Sequence, residues 1–426
     1  MYDLIVIGGG PAGLMAAGEA AAFLGGRGRV LLLEKMEKPA RKLRITGKGR
    51  CNLTNDRPRT EFLDKVRQGR EFLEPAFEAF DNRAAIGFVE RELGVPLVHE
   101  RGGRIFPASE RAWEVAEAFV AWASGKGVEI RCHAPAASLR IGGGRIRGVA
   151  LASGERIESR AVVLTTGGVS YPATGSTGDG HEMAYEAGHR IVPLRPALVP
   201  LEVSVPAGLK GLALRNVELS LWVDGEVAER RFGELEFTAE GVAGGAIVLQ
   251  VSRTAVDALA DGRRVELSVD LKPALSAEKL RNRLGREVAS LRGAASVKEL
   301  LQRLLPASLR GPIAQAAGLT LSKTVEGFGE EEAERLIAVL KAWRFGVLDY
   351  RPFTEAIVTA GGVDLREVDS RTMESRKVAG LYFAGELLDV DADTGGYNIQ
   401  IALSTGFLAG RSSSHALRVS EAAARP

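Results

Sequence analysis

The chain contains few of the residues that build metal centres and disulfide scaffolds. Its 426 residues include two cysteines, Cys51 and Cys132, and five histidines. The cysteines are far apart and form no Cys-x-x-Cys pair, which argues against a disulfide-stapled scaffold and a dithiol redox centre. The histidines show no His-x-x-His or His-Glu-x-x-His spacing, so we predict no metal site. This cysteine usage indicates a reducing compartment and favours the cytoplasm.

Long apolar runs and an excess of one charge are also missing. The nearest candidate for a membrane span, 14–24, is interrupted by Gly18 and Glu19 and is shorter than the about 18 to 20 residues required. Residues 1–10 carry no basic segment and are typical of a buried strand, not of a signal peptide. With 56 Lys plus Arg against 54 Asp plus Glu, the net charge of +2 gives no general argument for a nucleic-acid or membrane partner. Only local runs of charge can therefore indicate such a partner.

Glycine is abundant, with 51 residues, and one cluster near the N-terminus is informative. The apolar run Leu4–Ile7 leads into residues 8–13, Gly-Gly-Gly-Pro-Ala-Gly, and a small-residue helical stretch follows. Dinucleotide-binding sites require this order of strand, G-x-G-x-x-G turn and helix. Gly8 permits the turn, Gly10 lets a pyrophosphate approach the backbone, and Gly13 lets the helix pack closely on the strand. We predict a dinucleotide here, with its phosphates at the helix N-terminus.

A second apolar strand, Arg29–Leu33, ends at Glu34. An acidic side chain at this distance from the glycine turn can accept hydrogen bonds from both hydroxyls of an adenosine ribose. The same carboxylate disfavours the 2′-phosphate of NADP. The ligand is therefore predicted to be FAD or NAD.

The segment between Glu34 and Thr60 helps to choose between these two dinucleotides. From Lys35 to Asn55 it concentrates cations, glycines and small hydrogen-bonding side chains, which can donate to a pyrophosphate and to a flavin ring. Two other interpretations stay open, a solvated basic loop and a nucleic-acid-binding patch. The run has no interleaved aromatic residues on which bases could stack, which argues against the second.

Three groups of motifs carry a resemblance to a known family. They are Arg41-Lys42-Leu43 with Thr46-Gly47-Lys48-Gly49-Arg50-Cys51-Asn52-x-Thr54-Asn55; the run from Val162 to Pro172 continuing through Thr174 to Gly180; and, near the C-terminus, Thr359 to Val363, Thr372 to Ser375, Gly380 to Glu386, Asp389 to Asp391 and Gly395 to Gln400. In order and along the whole chain, these segments resemble the BaiN-like flavoproteins, also called YhiN-like or aminoacetone-oxidase-like, which depend on FAD.

The resemblance implies FAD as the cofactor and hydride transfer as the chemistry. With the glycine turn and Glu34, it gives the predicted cofactor-binding residues: Gly8, Gly10, Pro11, Ala12, Gly13, Glu34, Lys35, Lys42, Thr46, Gly47, Gly49, Arg50, Cys51, Asn52, Ala136, Thr166, Gly167, Gly168, Gly385, Glu386, Asp389, Gly396, Asn398 and Ile399. No general acid is assigned, and Arg104, Tyr171 and Glu386 are the catalytic candidates. We expect Cys51 to be a small packing residue beside the ring, because no second cysteine is near it in sequence.

One segment departs from the family pattern. Members usually carry a Phe-Thr-His-x-Gly-x-Ser-Gly-Pro-like motif, whereas this chain has Ala239, Ala243 and Gly245 at the histidine, serine and proline positions. A substrate or catalytic role that this loop has elsewhere in the family is therefore not carried over to this chain. We predict that Ala239→His leaves FAD bound.

The length and patterning predict an α/β fold with a discontinuous first domain. The expected parts are a doubly wound, Rossmann-type FAD-binding domain at 1–193 and 352–426, an inserted antiparallel β unit at 194–273, a helical subdomain at 274–343 and a return strand at 344–351. Antiparallel alternation is predicted from Val199 to Val269 and helical periodicity from Ser276 to Lys341, with a capping box at Ser296 and Glu299.

We therefore predict an FAD-dependent oxidoreductase that transfers a hydride between the flavin and a small or sterol-like organic substrate. By resemblance, the chemistries of the family include reduction of conjugated double bonds and amine oxidation. Only one full dinucleotide fingerprint is present, so NAD(P)H as reductant would bind transiently at the flavin. Two alternatives are an amine oxidase that uses oxygen and a flavoprotein that binds or modifies tRNA, the latter suggested by the basic run from Arg27 to Arg59.

Overall fold

The computed structural model describes residues 1–206, 208–238, 241–243, 245–291 and 295–423. The chain forms two compact units, of which the first comprises Met1–Arg195 and Ile357–Pro426 and the second Pro196–Ala356. Ala239, Glu240 and Gly244 lie outside the described residues, so the structure gives no account of the Ala239 prediction.

The helices and strands are as follows. The first part of unit one contains β1 (Tyr2–Ile7), α1 (Pro11–Leu24), β2 (Val30–Leu33), α2 (Arg41–Ile45), β3 (Thr54–Asn55), α3 (Arg59–Leu63), β4 (Val66–Gln68), α4 (Arg70–Ala79), α5 (Asn82–Arg91), β5 (Leu97–Glu100), β6 (Arg104–Pro107), α6 (Ala112–Gly125), β7 (Glu129–Arg131), β8 (Ala136–Gly142), β9 (Arg145–Leu151), β10 (Arg156–Leu164), α7 (Asp179–Glu186) and β11 (Ile191–Ala197). Unit two contains β12 (Leu201–Val203), β13 (Ala213–Val223), β14 (Glu226–Phe237), β15 (Gly241–Ala243), α8 (Gly245–Ala260), β16 (Val265–Asp270), α9 (Ala277–Ser290), α10 (Val297–Leu304), α11 (Ala307–Ala316), α12 (Glu330–Lys341) and β17 (Trp343–Tyr350). The chain returns to unit one with β18 (Val358–Val363), β19 (Leu381–Phe383), β20 (Asp391–Ala392) and α13 (Tyr397–Ala423).

The first unit is organised around a seven-stranded sheet. β1 pairs in parallel with β2 and β10, β2 with β7, and β10 with β19. The antiparallel hairpin β8–β9 extends the sheet from the first half of β10. β1 and β2 are buried along almost their whole length, as their continuous apolar runs require, and α1 and α13 pack on each other. The α/β, doubly wound fold predicted from the sequence is confirmed.

The second unit contains a closed antiparallel barrel of order β12-β15-β14-β13-β16-β17. Val217, Leu219, Leu221 and Val223 of β13 alternate into its core, as the period of two predicts. The prediction of strands throughout 199–269 is wrong at α8, a 16-residue helix. Ile247, Val248, Val251, Ala255 and Val256 are buried at helical spacing, although all of them except Ala255 are β-branched and such side chains are typical of a strand.

The helical region of the second unit follows its predicted period. Leu280 and Leu284 are buried on α9, and α10 begins with the predicted capping box, in which the Glu299 carboxylate accepts from the backbone N–H of Ser296 at 2.6 Å. Within the described part of the chain, every helix is too short or too polar to cross a bilayer.

Candidate cofactor site

The glycine turn between β1 and α1 has the geometry that its sequence predicts. Gly8 has φ +104°, and a Cβ there would lie 2.6 Å from the carbonyl oxygen of Thr165. A Cβ on Gly13 would lie 1.9 Å from the carbonyl oxygen of Gly8, so the helix packs directly on the strand. A Cβ on Gly10 would meet no protein atom within 4 Å. Only Gly10 therefore borders open space, at the N-terminus of a 14-residue helix.

Glu34 follows β2 and is fixed by the backbone. One carboxylate oxygen accepts from the N–H of Gly9 at 2.9 Å and the other from the N–H of Met36 at 2.8 Å. Each oxygen keeps a second lone pair that a ribose hydroxyl could use. The turn and the carboxylate thus form one preorganised element.

Gly8, Gly10 and Glu34 line a cleft in the first unit that opens to solvent. Of the predicted cofactor-binding residues, the cleft brings together Gly8, Gly10, Pro11, Ala12, Glu34, Lys35, Lys42, Ala136, Thr166, Gly167, Gly385 and Glu386. Further lining residues absent from the prediction are Ile7, Gly9, Leu33, Ala40, Arg41, Ala134, Thr165, Thr174, Gly175, Ser176, Thr177, Asp179, Met183 and Ala402. The family-like segment 174–180 was the signal for part of this second set.

Both lysines of the cleft are held by carboxylates. The ammonium of Lys35 donates to Asp179 at 2.7 Å and also to Thr177. The ammonium of Lys42 donates to both oxygens of Glu386, at 2.8 and 3.1 Å. The Lys35 hydrogen bonds lower the pKa of Asp179, although its burial acts in the opposite direction.

Glu386 connects Lys42 to the backbone of two further segments. Its Oε1 accepts from the N–H of Thr359 at 2.8 Å. The hydroxyl of Thr359 in turn accepts from the N–H groups of Val169 and Ser170, at 2.9 and 3.1 Å. Lys42, Thr359 and Glu386, which are distant in sequence, therefore meet at one carboxylate, and this carboxylate lies in the 3-10 turn Gly385–Leu387 that follows β19.

His181 is a buried residue that sequence reasoning passed over. It lies on α7 with 5% of its surface exposed, and among the described residues neither ring nitrogen has a hydrogen-bond partner. Burial lowers its pKa to about 4, and the negative charge of Glu386 opposes the shift only in part. The imidazole is consequently neutral at pH 7.

Twelve predicted residues lie outside the cleft lining: Gly13, Thr46, Gly47, Gly49, Arg50, Cys51, Asn52, Gly168, Asp389, Gly396, Asn398 and Ile399. Arg50 pairs with Glu100 and, at 2.7 Å, with Glu110, and its guanidinium lies 4.3 Å from the ring centroid of Phe106. Asn398 donates to the carbonyl of Ala392 at 2.9 Å. Their cofactor role stays a prediction.

Cys51 and two catalytic candidates have distinct surroundings. Cys51 is fully buried, and burial raises the pKa of its thiol to about 12, so it is not a thiolate at neutral pH. Arg104 pairs with Glu100 at 3.2 Å and is 46% exposed. Tyr171 adopts a left-handed conformation with φ +51° at the start of a 3-10 turn.

Most cations of the basic run between Glu34 and Thr60 are paired within the protein. Besides Lys35, Lys42 and Arg50, the structure pairs Arg41 with Glu37 at 2.7 Å, Arg44 with Glu117 at 3.0 Å and Arg57 with Glu61 at 2.8 Å. The run is therefore far less cationic in the fold than in the sequence, which weakens its use as an argument for nucleic-acid binding.

The cleft fits a dinucleotide. The open space in front of Gly10 adjoins a helix N-terminus, and the lone pairs of Glu34 remain available. Thr166 lines the cleft and has a buried hydroxyl oxygen without a partner among the described residues. The residues that would hold the pyrophosphate and ribose are thus Gly10 to Ala12, Glu34 and Thr166.

The fold and this cleft define a Rossmann-type dinucleotide-binding oxidoreductase. The chain belongs to the family described as HI0933-like protein Rossmann domain, whose model matches residues 2–412. The predicted family is confirmed, and with it the prediction of an FAD-dependent oxidoreductase.

Two relatives match along almost the whole chain. The 3-dehydro-bile acid delta(4,6)-reductase of Clostridium scindens is 32% identical over 412 residues, covering 96% of this chain and 98% of the relative. The ribosomal RNA dihydrouridine synthase of Escherichia coli is 31% identical over 407 residues, covering 95% and 96%.

A solved structure is similar in fold alone. The 3-ketosteroid delta1-dehydrogenase from Sterolibacterium denitrificans, in complex with 1,4-androstadiene-3,17-dione, matches with a TM-score of 0.55 and 14% identity. The match covers 97% of this chain and 99% of that one.

Proposed function

We propose that this chain is an FAD-dependent reductase of carbon–carbon double bonds conjugated with a carbonyl group. The proposal is carried by the dinucleotide cleft in a chain that two relatives match over almost their whole length. The reactions in the names of these two relatives both reduce a carbon–carbon double bond conjugated with a carbonyl group. A 3-oxo steroid with 4,6 unsaturation and the uracil ring both contain an alkene made electron-poor by a carbonyl. In each case the β-carbon accepts a hydride and the α-carbon accepts a proton.

The bound flavin of FAD supplies the hydride. The chain contributes binding and charge placement around it. Gly10 and the α1 N-terminus favour the anionic pyrophosphate, and Glu34 favours the ribose. Lys42 lies at the cleft wall with its charge directed to Glu386, where it can stabilise negative charge that develops nearby.

Two residues of the same cluster are proposed to position the group that donates the proton. The Glu386 carboxylate accepts hydrogen bonds from Lys42 and from the N–H of Thr359. Its remaining lone pairs can position a water molecule, but these two donors hold it in the ionised form, which has no proton to give. The neutral His181 lies within the electrostatic reach of Glu386 and near the backbone of Leu387. We assign both residues a positioning role, and neither is assigned as the acid.

NAD(P)H is proposed as the physiological reductant and would bind transiently, because one glycine fingerprint serves one dinucleotide. The substrate is proposed to be a small or sterol-like ring ketone, or a uracil base.

The experiment is anaerobic stopped-flow absorbance of the holoenzyme after dithionite titration to the reduced form. Mixing with a 4-ene-3-oxo steroid or with a uridine-containing RNA should restore the oxidised flavin spectrum, whereas the saturated 3-oxo steroid should not. Reoxidation by oxygen alone, with no response to any conjugated alkene, would instead indicate an oxidase and contradict the proposal. Glu386→Gln should slow the reoxidation roughly 100-fold if its charge organises the cluster.

A further inference from the structure

An exposed tryptophan lies beside the segment 44–50. Trp113 is in the first turn of α6, between two acidic residues that each reach this segment. Glu110 pairs with Arg50 at 2.7 Å and Glu117 pairs with Arg44 at 3.0 Å. Residues 113 and 117 lie on one face of the helix, and the two ion pairs hold that face next to residues 44–50.

The surface around Trp113 combines apolar area with unpaired cations. Trp113 is 52% exposed and Ile45 is 47% exposed, although large apolar side chains are normally covered. Lys48 and Arg111 are exposed, and among the described residues neither forms an ion pair. We call Ile45, Lys48, Arg111 and Trp113 the Trp113 surface.

The charges at its border leave a local excess of cations. Glu100 and Glu110 are bound by Arg50, and Glu117 is bound by Arg44. Glu114 in the first turn of α6 is an acidic neighbour that forms no ion pair among the described residues. The N-terminus of this 14-residue helix has no side-chain cap at Arg111, so its free N–H groups add to the positive potential.

The β5–β6 hairpin continues this cationic character. Its tip carries Arg101, which is exposed, and Arg104 follows on β6. Arg104 and Arg50 both lie over the ring of Phe106, at 5.7 and 4.3 Å from its centroid. The hairpin thus lies next to Arg50. Arg50 in turn forms an ion pair with Glu110, which comes just before α6.

We propose that the Trp113 surface binds a single-stranded segment of RNA. A base stacks on the indole of Trp113 and the flanking phosphates bind Lys48 and Arg111, a combination that single-stranded nucleic acid sites use. The aromatic residue that the basic run lacks in sequence is supplied by α6 in the fold. Ile45 and Lys48 flank Thr46, the first residue of the predicted flavin loop, so the bound strand passes beside that loop. This inference rests on the proposed function, since it names RNA as the carrier of the reduced base.

RNA is favoured over a protein partner by the charge. A protein interface of this size would surround an exposed tryptophan with apolar and neutral groups. The two polar residues of the Trp113 surface, Lys48 and Arg111, are instead unpaired cations. Phosphates provide the complementary charge at every nucleotide.

The test is fluorescence anisotropy of the full-length holoenzyme with a labelled, single-stranded, uridine-containing RNA. Trp113→Ala should weaken binding roughly 10-fold, because one base loses its stacking surface. Lys48→Ser and Arg111→Ser should each make the dependence of log affinity on log salt shallower by about 0.7. Two matched controls, Phe232→Ala and Arg156→Ser, remove an exposed aromatic and an exposed cation elsewhere and should leave the affinity unchanged.

If Trp113→Ala and the wild type bind RNA with equal affinity and contain the same amount of flavin, the proposal that the Trp113 surface binds RNA is overturned. Absence of RNA binding together with a tight complex of a protein at this surface would overturn it as well. The binding measurement needs no turnover, and the steroid reoxidation needs no RNA. RNA binding without reoxidation would therefore contradict the proposed reduction alone, and reoxidation without RNA binding would contradict this inference alone.

Discussion

The two units differ in what they bury. The first unit buries Thr54, Asn82, His181 and Gln400, among many other polar residues, whereas Ser252 and Ser268 are the polar residues almost fully buried in the described part of the second. The core of the second unit is otherwise aliphatic and aromatic side chains. A barrel needs only packing, but a cofactor cleft needs polar groups held at fixed positions, and each must be satisfied within the fold or by a ligand. The stability of the first unit should therefore depend on individual buried polar atoms as well as on packing.

The largest effect is expected where the cleft leaves no room at all. Gly13→Glu should abolish the folded holoprotein, because even a Cβ would lie 1.9 Å from the carbonyl oxygen of Gly8, which is backbone and cannot rotate away. Soluble yield, circular dichroism and flavin content measure the outcome. A Gly13→Glu protein that unfolds at the wild-type denaturant concentration would show that α1 does not pack on β1 as described.

In the second unit, a cavity should be the costly change. Phe237 is fully buried beside Trp343 and Phe345, so Phe237→Ala should lower the free energy of unfolding by about 3 to 5 kcal/mol. Urea unfolding followed by tryptophan fluorescence tests this. Phe232→Ala on the same strand, where the ring is 61% exposed, should change stability by less than about 0.5 kcal/mol. Similar losses in both variants would count against the assigned strand register.

The neutral buried histidine should give the first unit a pH dependence. The pKa of His181 is about 4 in the fold, below the ordinary histidine value of 6.5 that holds in the unfolded chain, so the native state disfavours the proton. Its contribution is fully present above pH 6.5 and is lost as the pH falls towards 4, by roughly 3 kcal/mol in total. His181→Gln should flatten the unfolding free energy in this window relative to the wild type. Parallel pH profiles of the two proteins would refute a neutral, buried His181.

A smaller loss is expected from one buried amide. Gln400 accepts from the hydroxyl of Thr54 at 2.7 Å and donates to the carbonyl of Phe80 at 3.1 Å. Gln400→Leu has a similar volume but leaves the Thr54 hydroxyl without its acceptor, while the Phe80 carbonyl keeps the hydrogen bond from Ser404, and this should cost about 1 to 3 kcal/mol. Chemical denaturation is again the measurement. A neutral or stabilising result would mean that water replaces the amide.

Sequence reasoning was strongest where backbone geometry decides the structure. The turn at Gly8 and Gly13 and the strand ending at Glu34 are local patterns in which glycine and an acidic residue have few alternatives. It was weaker where distant segments choose between partners. Nothing in the order of residues shows that Arg50 binds Glu110, or that Lys35 binds Asp179.

Two further features were out of reach for related reasons. The strand prediction missed α8 because β-branched residues occupy its buried face, and only packing in the barrel decides its conformation. The basic run contains no aromatic residue in sequence. Trp113 is brought near it only in the fold, because Glu110 and Glu117 on either side of Trp113 pair with Arg50 and Arg44. Hydrophobic periodicity describes one helix or strand at a time, whereas these contacts depend on how several helices and strands pack together.

The central claim is that the cleft beginning at Gly10 holds FAD, and the most direct measurement is the absorbance spectrum of the purified wild type beside Gly10→Val. The wild type should show the oxidised flavin bands, with FAD released on denaturation. Gly10→Val should be folded but colourless, because its side chain enters space that no protein atom occupies. A wild type that stays colourless after reconstitution with FAD, or a Gly10→Val variant that keeps a full complement of flavin, would contradict the account.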